Sequence, residues 1–353
     1  MGERILHRLI RERDAGYSNG IYVPTQLQFA WNSSHMEGST LTPRQTAQIF
    51  NTGTFTTDGT ERVRVDDAIE TRNHFTAFRW MLDHADEPVD KDFVCHLHAI
   101  LKNGTRQADD PLFNIGGYKK EPNVIGNAVV EVHVAMPEDV PALMDRLFDV
   151  YTHLEDDPYQ IARAHWMFEK IRPFSDGNGR VGRLVTYKEL LRIDALPVII
   201  HDSLHDRYVA NMDKFPEEPG WLVELLLFER DIYKKKILKP TGDRLSYTYN
   251  DHWDEHGHDD DLREDIEFKQ AVESKARNHD DLSGDDDLLW GHATSMAGPI
   301  HSGRWTLSSG GFPGTLTGDI PAPMRGLPIQ VQGTVQGPWN QSGIPAGPQG
   351  RNH

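Results

Sequence analysis

The chain has 353 residues, a formal net charge of −17 and one cysteine, Cys95. The length suffices for one sizeable core with additional segments. The negative charge argues against a general nucleic-acid-binding surface but leaves room for a local basic pocket. One cysteine excludes an intramolecular disulfide framework. Together with a charged N-terminus without an apolar signal core, it favours a cytoplasmic location, and no stretch is apolar enough to span a membrane.

Composition and periodicity divide the chain near residue 238. Residues 1–238 show helical periodicity and predict one mostly α-helical domain. Residues 239–353 are first acidic and then rich in glycine and proline, which predicts a disordered tail. The acidic part also contains His252, His256 and His258. Weak metal binding by these side chains is conceivable, but a solvated acidic segment is favoured.

The N-terminal region contains a short polar motif, Ser33-Ser-His-Met-Glu-Gly38. Residues 26–36 are predicted to form a short helix, and Gly38 suits its C-terminal stop. The following Thr42-Pro-Arg-Gln45 predicts a capping box with proline at the first position of a new helix. Taken alone, Glu37 would be a solvated residue at a helix end.

A small β-hairpin is predicted in the middle of the chain. Residues 123–130, Asn-Val-Ile-Gly-Asn-Ala-Val-Val, combine β-branched side chains with a central Gly-Asn pair. Two lysines precede this segment, Lys119 and Lys120. A solvated side chain is the expected outcome for both.

A helix is predicted directly before the most informative motif of the chain. Asp157-Pro158 supplies an N-cap residue followed by proline, and apolar residues then recur at helical spacing up to Ile171. His165 lies on the apolar face of this helix. We expect it to be a hydrogen-bonded core histidine rather than a catalyst.

The motif itself is Ile171-Arg-Pro-Phe-Ser-Asp-Gly-Asn-Gly-Arg-Val-Gly-Arg183. Its Asp-Gly and Asn-Gly pairs are turn formers, and two turns in succession direct several backbone N–H groups into one concavity that suits an anion. Residues 181–193 then show helical periodicity, with Lys188 and Glu189 outside the apolar face. Unpaired N–H groups and the positive dipole end at a helix N-terminus favour phosphate.

Three charged side chains support a phosphate site at this turn. Arg180 and Arg183 are three residues apart and therefore neighbours on the predicted helix. Asp176 lies at the lip of the turn, where a carboxylate could hold magnesium beside phosphate. The alternative is a β-hairpin, which Asn-Gly and Asp-Gly also favour, but the downstream segment has helical rather than alternating periodicity.

The motif resembles the signature of the Fic (Fido) family, His-Pro-Phe-x-Asp/Glu-Gly-Asn-Gly-Arg-x-x-Arg. Every fixed position from Pro173 to Arg183 is matched, whereas Arg172 replaces the leading histidine. The upstream Ser33–Gly38 motif is similar to the family's inhibitory pattern, Ser/Thr-x-x-x-Glu-Gly/Asn. The resemblance implies the Fic fold, a helical bundle with a small β-hairpin flap, an inhibitory segment at about residues 23–38 and an active-site loop at 172–183.

The resemblance also implies an activity and its site. Fic proteins of this type transfer AMP from Mg-ATP to a Ser, Thr or Tyr hydroxyl of a target protein. Asp176 would hold Mg²⁺. The nucleotide would be bound by the backbone of the glycine-rich turn and by two arginines; these residues are Gly177, Asn178, Gly179, Arg180 and Arg183. Glu37 would pair with Arg183 and inhibit, and the flap would align the target by main-chain pairing through Val124, Ile125 and Gly126.

Arg172 is the one departure from the family pattern. The family's histidine accepts the hydroxyl proton, whereas a guanidinium stays protonated at physiological pH. Loss of a general base reduces a rate by about 10²–10⁴. The sequence leaves three hypotheses open: an autoinhibited and impaired adenylyltransferase, a Fic module that binds nucleotide without transfer, and altered chemistry. The expected partners are ATP and a protein target or the chain itself; the oligomeric state is open, with a homodimer as one option.

Overall fold

The structure of the chain is a computed structural model that describes residues 2–283, except residues 61, 124, 125, 128, 129, 132, 243 and 255. Two of the predicted flap residues, Val124 and Ile125, lie outside the described residues. So does most of the predicted tail, residues 284–353.

The described part of the chain is mostly helical, as the sequence predicts. The helices are α1 (Ile5–Asp14), α2 (Tyr22–His35), α3 (Pro43–Thr52), α4 (Val65–Asp83), α5 (Lys91–Lys102), α6 (Val140–Thr152), α7 (Pro158–Ile171), α8 (Asn178–Arg192), α9 (His205–Lys214), α10 (Gly220–Tyr233) and α11 (Asp259–Ser283). The strands are β1 (Glu3–Arg4), β2 (Gly126–Asn127), β3 (Val130–Glu131) and β4 (Leu245–Ser246). No helix among the described residues is long and apolar enough to cross a membrane.

The small β-hairpin is confirmed. Strands β2 and β3 pair antiparallel, with Gly126 opposite Glu131 and Asn127 opposite Val130. The second pair, β1 with β4, is parallel and joins the N-terminus to a segment after α10. The two short pairs are peripheral to the helical bundle that forms the core.

Helix α8 lies at the centre of the bundle and packs against α1, α2, α4, α5 and α7. Every residue from Asn178 to Leu191 is buried. The predicted division into an apolar and a polar face was wrong, because Lys188 and Glu189 are fully buried and pair with each other at 2.7 Å. The N-terminus of α8, which carries the candidate site, is therefore held by surrounding helices rather than exposed on a surface.

Local capping signals in the sequence fix two helix starts as predicted. Thr42 and Gln45 form the reciprocal capping box at the start of α3. Asp157 accepts a hydrogen bond from the backbone N–H of Gln160 at 2.9 Å at the start of α7. His165 is fully buried, with its ring nitrogens 2.8 Å from hydroxyl oxygens of Thr186 and Tyr208, as expected of a core histidine.

Helix α11 belongs to the compact unit, which extends to Leu282 rather than ending near residue 238. The ring of Phe268 packs against Trp166 of α7 at 5.6 Å between centroids. The buried Asp265 carboxylate accepts hydrogen bonds from Arg163 Nε at 2.8 and 2.9 Å. The acidic composition suggested a solvated segment, and this expectation was wrong for α11. Its partners could not be recognised from neighbouring residues, because Arg163 and Asp265 are 102 positions apart in the chain.

One of the three histidines near the start of α11 differs from the prediction, whereas His252 and His256 are exposed as expected. The ring of His258 stacks on Tyr159 at 4.4 Å and lies 3.3 Å from a carboxylate oxygen of Asp157. It is therefore packed against α7 rather than solvated. Among the described residues, no group of three or more His, Cys, Asp or Glu side chains is arranged to hold a metal ion.

Candidate functional site

Hydrogen bonds within the loop between α7 and α8 hold its conformation. Arg172 ends α7 in a left-handed conformation with φ of 45°, and its N–H donates to Phe168 O at 2.9 Å. The side-chain amide of Asn178 accepts from the N–H of Phe174 at 2.8 Å and donates to its carbonyl at 2.7 Å. This clamp fixes the loop across its width, and Gly177, with φ of 78°, begins the turn into α8.

The predicted second turn at Asn178-Gly179 does not exist, because these residues are the first two of α8. The helix therefore begins three residues before the predicted start at residue 181. The consequence for the site is favourable, since the unpaired N–H groups of the first helical turn lie within the glycine-rich segment itself. Such a helix N-terminus favours an anion.

Glu37 lies against this helix N-terminus. A Cβ atom added to Gly179 would meet Glu37 Oε1 at 2.2 Å and Arg183 Nη1 at 2.8 Å. Glycine is thus required at position 179 for the carboxylate to approach the backbone this closely. The protein's own carboxylate occupies a position that suits a bound anion.

Arg183 binds two of the three fixed positions of the upstream motif, Ser33 and Glu37. Its Nη2 donates to Glu37 Oε1 at 2.7 Å and to the carbonyl of Ser33 at 2.9 Å, while its Nε donates to Ser33 Oγ at 2.9 Å. Ser33 lies in the last turn of α2 and Glu37 in the turn that follows the helix, and both reach the same guanidinium. The sequence pattern marked Ser33, but only the structure shows its contact with the arginine.

The carboxyl of Glu37 is ionised in this arrangement. Burial raises the pKa of Glu37. The nearby guanidinium groups of Arg183, Arg180 and Arg172 lower it by more than burial raises it, so the pKa lies below its usual value. The segment that follows α2 therefore places a negative charge among three arginines.

Asp176 and Arg180 take part in a second buried charge cluster that the sequence did not predict. Lys102 of α5 donates to Asp176 Oδ2 at 2.6 Å and to Glu70 Oε1 of α4 at 2.5 Å. Arg180 donates to the other oxygen of Glu70 and lies 3.9 Å from Asp176 Oδ2. No local signal identifies Glu70 or Lys102, because each lies on a different helix far from the loop in sequence.

Asp176 suits a magnesium ion that is held together with phosphate. Burial raises its pKa, yet Lys102 and Arg180 lower it more strongly, so the carboxyl stays ionised. Oδ1 accepts the N–H of Gly177 at 2.7 Å, and the side chain is 36% exposed. Magnesium is commonly bound by one or two carboxylates with substrate phosphates and waters, and each carboxylate oxygen retains a second lone pair.

Arg172 lies beside a buried carboxyl rather than beside a group that could activate it. Its Nη1 is 3.8 Å from Glu169 Oε2, and its Nε is buried without a hydrogen-bond partner among the described residues. Burial raises the pKa of Glu169, although Arg172 and Arg183 oppose this effect. The position of the family histidine is thus held by a permanent cation.

The expectation that Lys119 is solvated was wrong. Its side chain is 3% exposed, and Nζ donates to Asn123 Oδ1 at 2.5 Å and to the carbonyl of Ile171 at 3.4 Å. Burial, assisted by the charge of Arg172, lowers the pKa of Lys119 to about 7. Asn123 in turn donates to the carbonyls of Phe174 and Ser175 at 3.1 Å, so the segment before the hairpin is fastened to the loop.

These elements agree with a known family. Residues 88–190 match the model of the Fic/DOC family. The matched range includes Lys102, the hairpin and the loop from Arg172 to Arg183. It does not include the upstream Glu37 and Glu70.

Individual relatives agree with this family. The chain is 27% identical over 188 residues to "Protein adenylyltransferase Fic" of Drosophila willistoni, across 51% of this chain and 35% of that protein. The chain thus matches about a third of the length of this curated relative.

Two solved structures share the fold. A Fic domain containing signaling protein from Bacteroides thetaiotaomicron is 24% identical, with 66% of this chain and 92% of that chain covered and a TM-score of 0.51. A variant of Fic-1 from C. elegans is 18% identical, with 67% and 72% covered and a TM-score of 0.51.

Proposed function

We propose that the chain is a Fic-type protein adenylyltransferase that transfers AMP from ATP to a Ser, Thr or Tyr hydroxyl of a target protein or of itself. Its activity is held low by Glu37 and weakened further by Arg172. The observation that carries the proposal is the convergence of Asp176, Arg180 and Arg183 at the N-terminus of α8 within a Fic/DOC domain.

The chain's own groups would bind and orient the triphosphate. The phosphates would lie at the α8 N-terminus, along the backbone of Gly177, Asn178 and Gly179, and Arg180 and Arg183 would neutralise their charge. Asp176 would hold Mg²⁺, which when bound supplies further charge neutralisation between phosphate oxygens. This role depends on positioning and electrostatics rather than on covalent chemistry by the protein.

Transfer requires that the hydroxyl oxygen form a bond to the α-phosphorus while the bond to the pyrophosphate leaving group breaks. The hydroxyl proton must pass to an acceptor. Arg172 offers none, because its guanidinium has donors only. We therefore expect the rate of transfer to be lower by a factor of about 10²–10⁴ than that of the same site with histidine.

Inhibition by Glu37 follows from competition for one guanidinium. Arg183 is engaged by Glu37 and Ser33 and is thus less free for a terminal phosphate. The ionised carboxylate beside Gly179 also repels an incoming triphosphate. The hairpin would align the target through main-chain groups of Val124, Ile125 and Gly126, and the contacts of Asn123 with the loop support that placement.

A second candidate function is nucleotide binding without transfer. Arg172 favours it, since a permanent cation in this loop attracts ATP but has no acceptor for the proton of a hydroxyl. In that case the Fic/DOC domain would act by binding alone.

One assay separates the two candidates. The chain, Glu37→Gly, Arg172→His and the double variant are incubated with α-labelled ATP and Mg²⁺, and label on protein is measured. Label on the chain or on Glu37→Gly, both of which keep Arg172, supports the transferase, and the double variant should then carry far more label. Absence of label from Glu37→Gly, together with Mg-ATP binding in calorimetry, supports the binding module. Absence of both label and ATP binding contradicts both candidates.

A further inference from the structure

Glu70 connects two functional side chains of the site although it lies outside the family match. It is on α4, and its side chain is 16% exposed. One carboxylate oxygen accepts from Lys102 Nζ at 2.5 Å, and the other accepts from Arg180 Nη1. Glu70 therefore contacts both cations that lie around Asp176.

The four side chains form a balanced arrangement of two carboxylates and two cations. The side chains of Lys102 and Arg180 are 1% and 3% exposed, so neither charge is well solvated by water. Lys102 contacts Asp176 closely at 2.6 Å, whereas Arg180 remains 3.9 Å from the same oxygen because its short contact is with Glu70. Buried charges of this kind require partners, and each partner determines where the others lie.

We propose that Glu70 is a positioning residue of the nucleotide site. It binds Lys102 and draws Arg180 away from Asp176, so that the Asp176 carboxylate remains available to a divalent cation. The inference rests on the proposed function, since it assumes that ATP and Mg²⁺ bind here. Partners of this type commonly orient a metal-binding carboxylate.

Removal of the Glu70 charge has two effects of opposite sign. In Glu70→Gln, Lys102 and Arg180 share Asp176 as their remaining close carboxylate in the cluster, and Arg180 can close its 3.9 Å gap to it. Asp176 is then neutralised from within and attracts Mg²⁺ less. The cluster also gains one net positive charge, which strengthens binding of metal-free ATP.

The experiment measures ATP affinity by calorimetry in Mg²⁺ and in EDTA. All proteins are full-length and carry Glu37→Gly, so that the inhibitory contact does not mask binding. The ratio of the two affinities is compared for the parent, Glu70→Gln, Glu70→Asp and the control Asp66→Asn. Asp66 is on the same helix and pairs with the exposed Arg106 at 3.2 Å, so it reports the loss of one charge without the cluster.

We expect Glu70→Gln to reduce the Mg²⁺ advantage about tenfold or more, the loss expected when a charge-assisted contact is withdrawn. Its metal-free affinity should equal or exceed that of the parent. Asp66→Asn should keep the parent ratio, and Glu70→Asp should recover part of it.

An unchanged ratio in Glu70→Gln, or equal weakening of both affinities, overturns the inference while leaving the proposed function intact. No ATP binding by the parent under either condition overturns the proposed function and the inference together. If Glu70→Gln does not fold, Glu70→Asp replaces it. That variant keeps the charge but shortens its reach by one methylene, so the Mg²⁺ advantage should fall below that of the parent; an unchanged or larger advantage overturns the inference.

Discussion

Arg183 Nη2 donates a hydrogen bond to Glu37 Oε1 at 2.7 Å, although the two residues are 146 positions apart in the chain. The same guanidinium binds Ser33 through both the hydroxyl and the carbonyl oxygen. The end of α2 is thereby attached to the first turns of α8. Any ligand that needs Arg183 must compete with contacts that the chain makes with itself.

The first prediction concerns this competition. Glu37→Gly removes the ionised carboxylate and leaves the contacts of Arg183 with Ser33 in place. We expect ATP to bind about tenfold more tightly, as for one charge-assisted contact released to the ligand. Calorimetry with ATP and Mg²⁺ measures the change. Ser33→Ala removes only the hydroxyl acceptor and should have a smaller effect; equal affinities for Glu37→Gly and the unmodified chain would contradict the prediction.

The second prediction concerns the close approach at Gly179. In Gly179→Ala, the new methyl group would lie 2.2 Å from Glu37 Oε1, which must move, and it would also cover the phosphate position. Alanine in a helix is more favourable than glycine by about 1 kcal/mol. The free energy of unfolding should therefore fall by no more than the contribution of the lost Glu37 contact. In the Glu37→Gly background, the alanine should weaken ATP binding strongly. Unchanged affinity there would show that phosphate does not use the backbone at this position.

The third prediction concerns pH. Burial lowers the pKa of Lys119 to about 7, below the usual value of about 10.4 for the unfolded chain. The unfolded state therefore binds more protons between these two pH values, and stability rises with pH across this window, by at most about 1.4 kcal/mol per unit from this group. Lys119→Met should remove that slope. Urea unfolding from pH 7 to pH 10 measures it, and parallel curves for both proteins would exclude the effect.

The fourth prediction tests whether α11 belongs to the domain. Asp265 is fully buried against Arg163 and Tyr159. Asp265→Ala leaves Arg163 with the more exposed Asp261, and the unfolding free energy should fall by about 3 kcal/mol, near the lower end for a broken buried pair. Exposed Asp260 on the same helix provides a control, Asp260→Ala, with little expected change. Equal stability of the two variants would mean that α11 does not contribute to the core.

The sequence by itself determined the features that depend on neighbouring residues. The capping box at Thr42, the N-cap at Asp157 and the helix after the glycine-rich turn all follow from local spacing, because backbone hydrogen bonds and turn conformations are local. The near-complete loop motif also predicted the family, and Arg172 was recognisable as its one departure.

Only the tertiary structure decided which groups surround the predicted site. Glu70 and Lys102 reach Asp176 and Arg180 from α4 and α5, and Lys119 is buried under the loop rather than solvated. The attachment of α11 to α7 was equally invisible to composition. The physical reason is common to these cases. The neighbouring sequence of a charged residue is the same whether its side chain is solvated by water or paired with a distant partner, and the packing of separate helices determines which of the two occurs.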